Sequence, residues 1–362
     1  MNRNHSIDLI KFFAIFLVVC IHTAPFSKIN LGFINGSNIT FILNTFGRFA
    51  VPYFFIISGY LYGIKNNKYE FYNKYTFKYL LNLFRIYLGW AVFYVLYDFF
   101  LNCMHGINIQ IEALQFINKI MNLKTLYLNG ISSRHAYQLW YLVALIISIL
   151  IIWVFIKLDK IKLLLIISLG LNLIGLFGEG QSYSQFFNAH IITRDALFYG
   201  LFYTTLGFFF ANNTFIPTQN PYVYLKLFFL FFFGQFIERF VLVYLFQAPQ
   251  GDYYVFTIPQ TIFLFLFVVS CRNVKDNFLA KIGSNAVGIF VIHTFVISVI
   301  KDIILGETFF ENIIADTVVG QLLYTPIVFI SSYYLYTSIQ LIKKKINYIS
   351  YRNVINETKK AG

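Results

Sequence analysis

The chain has 362 residues, 58% of them hydrophobic and 12% charged, with a formal net charge of +13 and a mean hydropathy of +0.67. A soluble domain carries roughly 25% charged residues, so an ordinary soluble enzyme is excluded. Apolar runs of about 20 residues recur where a β-barrel would need short alternating segments, so the expected fold is all-α and polytopic.

Ten transmembrane segments are predicted, near 7–26, 40–63, 80–101, 137–156, 161–178, 196–211, 222–246, 255–271, 284–304 and 317–342. The fifth, sixth and eighth lie close to the lower length limit for a span. Lys65, Lys68, Lys74, Lys78, Arg85, Lys157, Lys160, Lys162, Arg272, Lys275, Lys281 and Lys343-Lys344-Lys345 fall on one side of this arrangement. Opposite them, Lys28, Lys119, Lys124, Arg134, Arg194 and Lys301 are diluted by Glu112, Glu179, Asp252, Glu307, Glu311 and Asp316. By the positive-inside rule both termini are expected in the cytoplasm, with the protein in the cell membrane. The excess of positive charge then reflects topology and attraction to anionic membrane lipid, and nucleic acid is not an expected partner.

No linker or repeat divides the chain, so one membrane domain over 1–345 and a short cytoplasmic tail over 346–362 are expected. Segment 102–136 alternates apolar residues with Asn, Gln and Lys and is predicted to be an amphipathic helix at the outer surface. Between Lys65 and Lys78, lysines alternate with Tyr69, Phe71, Tyr72, Tyr75 and Phe77. That pattern suits either an interfacial loop or a grip on an anionic, adenine-bearing ligand.

Ionisable groups inside the first span are costly in lipid and therefore mark a candidate site. Asp8, Lys11 and His22 share one helix face, with Lys11 and His22 about 16 Å apart along the axis. Imidazole can take a proton from a hydroxyl at neutral pH. Lys11 either pairs with Asp8 at i,i+3 or faces an anionic donor. In the second span, Arg48 precedes Pro52 by four residues, so Pro52 cannot donate to the Arg48 carbonyl and a kink is expected there. A buried guanidinium at a kink suits an oxyanion, or else it pairs with Asp98 or Glu238. Arg85 meets phosphate or snorkels to the interface. Trp140 and Tyr141, opening the fourth span, form part of an aromatic belt or stack on a sugar. His293, near mid-span, supports His22, binds substrate, or is a satisfied buried histidine. No role is evident for Glu238 and Arg239, whose side chains diverge by about 100°. Cys20, Cys103 and Cys271 lie at different depths and have no metal-ligand spacing, so no disulfide and no metal site are expected. Cys20 beside His22 reads as an acyl carrier or, more simply, as a packed thiol.

Four motifs, in order along nearly the whole chain, resemble those of acyltransferase family three, the bacterial integral-membrane O-acyltransferases of cell-surface glycans. They are Lys11 with His22, Val51-Pro52 through Ser58-Gly59-Tyr60, Leu139-Trp140-Tyr141-Leu142, and Gly283-Ser284 through Ile292-His293. The resemblance implies a cytoplasmic acyl-CoA donor, usually acetyl-CoA, with no tightly bound cofactor. It further implies an extracytoplasmic glycan hydroxyl, or its lipid-linked precursor, as acceptor and an essential histidine at His22. On that basis His22 and Arg48 are the expected catalytic residues. Lys11, Arg85, Lys78 and Lys74 are expected at the donor. Trp140, Tyr141, His293, Ser58 and Tyr60 are expected at the substrate, with Asp8 and Pro52 supporting. The family often has Arg where Lys11 stands, and an Arg-x-x-Arg pair would here be Asn82 with Arg85. The esterase-like domain that some members attach is not seen, so either one protein completes the transfer or an extracytoplasmic partner does. The rival reading is a transporter or flippase of a glycan or small polar molecule, because polar groups at two depths of one helix also suit a permeation path.

Overall fold

The computed structural model describes residues 4–29, 35–66, 72–106, 114, 117, 134–212, 220–271 and 274–360. Most of the predicted amphipathic segment 102–136, and residues 67–71 of the basic aromatic loop, lie outside the described residues. Apart from an isolated bridge at Asn35, everything described is helix, turn or irregular chain. Among the described residues seven helices are long and apolar enough to cross a membrane, and three shorter apolar helices stand at the fifth, sixth and eighth predicted positions. The protein is a polytopic, all-helical membrane protein.

Local chemistry sets the boundaries of the first helices. Helix α1, His5–Thr23, starts where the Asn4 side chain accepts a hydrogen bond from the Ser6 N–H, and ends at Ala24, whose backbone is left-handed and whose N–H donates to the Cys20 carbonyl. Helix α2, Gly36–Gly47, is capped in the same way by Asn35. It gives way at Arg48–Phe49 to α3, Ala50–Asn66. The break is the kink expected from Pro52: the ladder resumes with Tyr53 N–H donating to the Phe49 carbonyl at 2.9 Å.

Helix α4, Tyr72–Met104, begins earlier than hydropathy suggests, so the second half of the basic aromatic loop is helical. After it come α5, Trp140–Lys157, and α6, Ile161–Gly175. A π turn at Ala196–Gly200 leads into α7, Leu201–Asn212. Then follow α8, Tyr222–Phe240, with its own π turn Val241–Leu245, and α9, Thr257–Ser270. The last helices are α10, Phe278–Gly283, α11, Ala286–Ser298, α12, Glu307–Phe310, and α13, Val318–Lys360. Residues 346–360 thus continue α13.

Contacts between chain-distant elements place α9 and α13 antiparallel to α1, as the alternation of spans expects. Ser6, at the start of α1, donates to the carbonyl of Cys271, just past the end of α9. At the other end Thr23 and Thr325 hydroxyls are 2.6 Å apart, and Lys28 lies 3.6 Å from Asp316.

Within hydrocarbon, helices gain from close backbone approach rather than from apolar burial, so small residues mark the crossings. A Cβ on Gly59 would lie 2.0 Å from the Thr204 carbonyl oxygen, and one on Gly207 would lie 1.9 Å from that of Ile56. Helices α3 and α7 therefore touch backbone to backbone. Gly283 does the same for α10 against α1, where a Cβ would come within 1.8 Å of the Asp8 oxygen. These crossings explain the glycines of the second-span and late-span signatures.

Helix α9 has 14 residues, about 21 Å of rise, which is short of a hydrocarbon core of about 30 Å. The irregular stretches ahead of it and ahead of α7 must then enter the bundle. Non-helical backbone is tolerated at that depth only where protein buries it or where it lines a cavity.

Candidate active site

The two inserted stretches are tied to each other before they touch anything else. Gln181 Oε1 accepts from the backbone N–H groups of Asp252, at 2.7 Å, and Tyr253, at 3.2 Å. The Tyr253 hydroxyl donates to the Thr193 carbonyl. Ser182 donates to the Pro249 carbonyl at 2.7 Å. Glu238, on α8, accepts from the N–H of Val255 and of Phe256 at 2.6 and 3.0 Å and from the Tyr183 hydroxyl at 2.6 Å. Glu238 thereby clamps the start of α9 and carries a role that sequence reasoning left blank. Its neighbour Arg239 points elsewhere and is wholly buried. It donates to the Phe41 carbonyl at 3.2 Å, the Thr45 hydroxyl at 2.7 Å and Gln250 Oε1 at 2.8 Å, with its guanidinium over the Phe41 ring.

This scaffold presents Asp252 to the α2–α3 break. Asp252 forms an ion pair with Arg48 and lies 3.4 Å from Arg194 Nη1. The partner of Arg48 is therefore neither Asp98 nor Glu238. Asp98 instead holds His135 at 2.6 Å and accepts from the Arg134 N–H at 2.6 Å. Burial alone would raise the Asp252 carboxyl, but Arg48 and Arg194 outweigh it and hold it below the ordinary carboxylate value. The Nε of Arg48 is buried with no hydrogen-bond partner among the described residues. Arg194 extends over the Trp140 ring, 5.5 Å from its centroid.

His22 completes the cluster. Its Nδ1 is 3.2 Å from the Tyr137 hydroxyl, and its ring centroid is 5.1 Å from that of His293. His293 Nδ1 is 2.7 Å from the Phe290 carbonyl oxygen. Its Nε2 is buried with no hydrogen-bond partner among the described residues. The Phe290 contact fixes the proton on Nδ1 and leaves Nε2 as a lone-pair acceptor aimed into the interior. His22 is exposed by surface area, yet His293, Arg194, Asp252 and Arg48 all lie within electrostatic range of its ring. A histidine facing lipid would have no such neighbours, so its open surface belongs to a crevice walled by protein.

The other expected site residues divide into three groups. Trp140 and Tyr141 are buried beside Phe55, and the Tyr141 hydroxyl is 3.2 Å from Ser58 Oγ. Tyr60 packs edge-on against Phe265. Lys11 lies 3.6 Å from Asp8 at i,i+3, so the local pair is formed. Lys74, Lys78 and Arg85 are exposed on α4, whereas Thr76, Tyr87, Ala91, Tyr94, Tyr97 and Leu101 are its buried side. The three cations thus form an outward stripe and are not gathered around His22. Asp252, Arg194 and Tyr137 were not picked out from the sequence. The one available signal was the shortness of the apolar runs beside the first two.

Residues 4–337 match the family described as an acyltransferase domain, acyltransferase 3. The chain belongs to this family. Two curated relatives of the acyltransferase 3 chain, both from Enterococcus faecalis, are named amino-acid racemase. One is 27% identical over 83% of this chain and 42% of its own length. The other is 25% identical over 78% of this chain and 38% of its own length. The chain therefore spans about two fifths of the length of the relatives it matches. No solved structure matches it.

Proposed function

We propose that this acyltransferase 3 protein moves an acetyl group from cytoplasmic acetyl-CoA to a hydroxyl of an extracytoplasmic cell-surface glycan. The observation that carries the reading is the cluster around His22, whose ring meets Tyr137 and His293 and lies within electrostatic range of Arg48, Arg194 and Asp252.

With its Nδ1 proton donated to the Tyr137 oxygen, His22 offers Nε2 as the base. The acceptor hydroxyl attacks the thioester carbonyl while Nε2 takes its proton. The oxyanion of the tetrahedral intermediate accepts from Arg48 Nε–H. Collapse breaks the C–S bond, the imidazolium returns the proton to the departing sulfur, and the products are the acetyl ester and free CoA. The alternative order, in which His22 first carries the acetyl group, uses the same atoms. A positioned base contributes about 10²–10⁴-fold and one oxyanion donor about 10²–10³-fold.

Both termini are assigned to the cytoplasm, so that the donor enters near Lys11 and the acceptor near Trp140 and Tyr141. The outward cations of α4 remain available to the donor's phosphates at the cytoplasmic surface. The test is transfer of labelled acetate from acetyl-CoA into acceptor by protein in sealed vesicles. His22→Ala should abolish transfer with insertion intact, and retained transfer would refute the mechanism.

A second reading draws on the relatives' printed name, amino-acid racemase, which points to a free amino acid as the molecule handled. A transporter would move labelled amino acid across the same vesicles without acetyl-CoA and without covalent change.

A further inference from the structure

Charge around His22 does not balance. Within electrostatic range of its ring lie two guanidiniums, Arg48 and Arg194, and one carboxylate, Asp252. Asp252 is committed first to Arg48, whose side chain is 11% exposed. Its contact with Arg194 is the longer one, and the Arg194 side chain keeps 44% of its surface open. Arg239, behind Arg48, adds a positive charge, and the buried Asp195, which accepts from the Phe198 N–H, adds a negative one, so three guanidiniums face two carboxylates. Tyr137 and Tyr199, also nearby, are phenols and bring no negative charge at neutral pH. One positive charge is therefore left facing the crevice, on a planar fork suited to two acceptor oxygens. Beneath that fork lies the buried Trp140 ring, which supports the guanidinium from one side.

An unbalanced cation beside a membrane interior attracts an anion far more strongly than the same group does in bulk water. We infer that Arg194, seated on Trp140, is an anion subsite, and that the acyl acceptor carries a carboxylate or phosphate next to the hydroxyl that is acetylated. This rests on the acyl-transfer reading for its location and adds the substrate class. Arg48 then serves the oxyanion and Arg194 the acceptor, with Asp252 between them setting their separation.

The experiment compares three acceptor probes on purified full-length protein in detergent: methyl α-glucoside, its 6-carboxylate methyl glucuronide, and glucose 1-phosphate. Binding is read by calorimetry, and transfer by labelled acetyl-CoA. The expected result is at least tenfold tighter binding of one or both anionic probes. The carboxylate and phosphate arms report which anion the subsite takes. Arg194→Gln should collapse that preference, and Arg194→Lys should recover part of it. Equal binding of the neutral probe, or failure of every probe to bind, would overturn the inference. So would a preference undiminished in Arg194→Gln. Anion-selective binding that depends on Arg194, with no acetyl transferred to any probe, would support the subsite and count against the acyl-transfer reading, so the two can fail separately.

Discussion

Replacing Asp252 with Asn removes the one carboxylate between Arg48 and Arg194 while keeping its size and the backbone N–H that donates to Gln181 at 2.7 Å. Loss of one partner from a fully buried ion pair costs about 3–5 kcal/mol, because the remaining charge is stranded. Here Arg48 is 11% exposed and Asp252 30% exposed, so the open wall of the crevice lowers the expected cost to about 1–3 kcal/mol. The more exposed Arg194 adds under about 0.5 kcal/mol. The effect should also depend on pH in a defined direction. Two guanidiniums hold the folded Asp252 below the ordinary carboxylate value against the upward push of burial. A depressed folded pKa gives stability that is fully present above the unfolded value, about 3.9, and is lost as pH falls through the lower folded value. Thermal unfolding in detergent should therefore show Asp252→Asn melting several degrees below wild type at pH 7. The gap should begin to narrow below about pH 4 and close once the pH passes the lower folded value. Equal melting at pH 7, or a gap unchanged down to pH 3, would mean that the pair does not hold the α2–α3 break to the inserted loops.

Tyr137→Phe removes the hydroxyl 3.2 Å from His22 Nδ1; kcat for acetyl transfer should fall about 10- to 100-fold with KM for acetyl-CoA little changed, and an unaltered kcat would remove Tyr137 from the mechanism. Gly59→Ala drives a methyl toward the Thr204 carbonyl, where a Cβ would sit at 2.0 Å, and should destabilise by about 1–3 kcal/mol. Gly89→Ala, with nothing within 4 Å of the new atom, should be neutral or stabilising by up to about 1 kcal/mol, and equal melting of the two variants would contradict the close crossing of α3 and α7. Lys11→Gln should raise KM for acetyl-CoA independently of salt, whereas joint neutralisation of Lys74, Lys78 and Arg85 should raise it only at low ionic strength. A salt-independent effect of the α4 variant would bring that stripe into direct contact with the donor.

Much of the architecture follows from local facts that a linear chain carries. A run of apolar residues crosses a bilayer because of its length. Pro52 breaks the helix at Arg48–Phe49 because it lacks an N–H, and His22 lies in the last turn of α1 because of its count from Asn4. Even the three short segments were marked in advance by their length. The occupants of the site were a different matter. Arg48 was legible as a buried cation, but its partner, Asp252, is 204 residues away and reaches it only because Gln181 and Glu238 fix an inserted loop. Arg194 and Asp252 read as ordinary loop charges until that loop is seen folded into the bundle. Lys74, Lys78 and Arg85 read as three cations near one membrane face, and only the folded α4 shows that they form an exposed stripe opposite its buried side. Hydropathy reports how much of a helix prefers lipid or protein to water, but not which face it turns inward or which distant group meets it there. Those outcomes depend on backbone approach at Gly59, Gly207 and Gly283 and on where buried polar groups find partners, and both are properties of the packed chain.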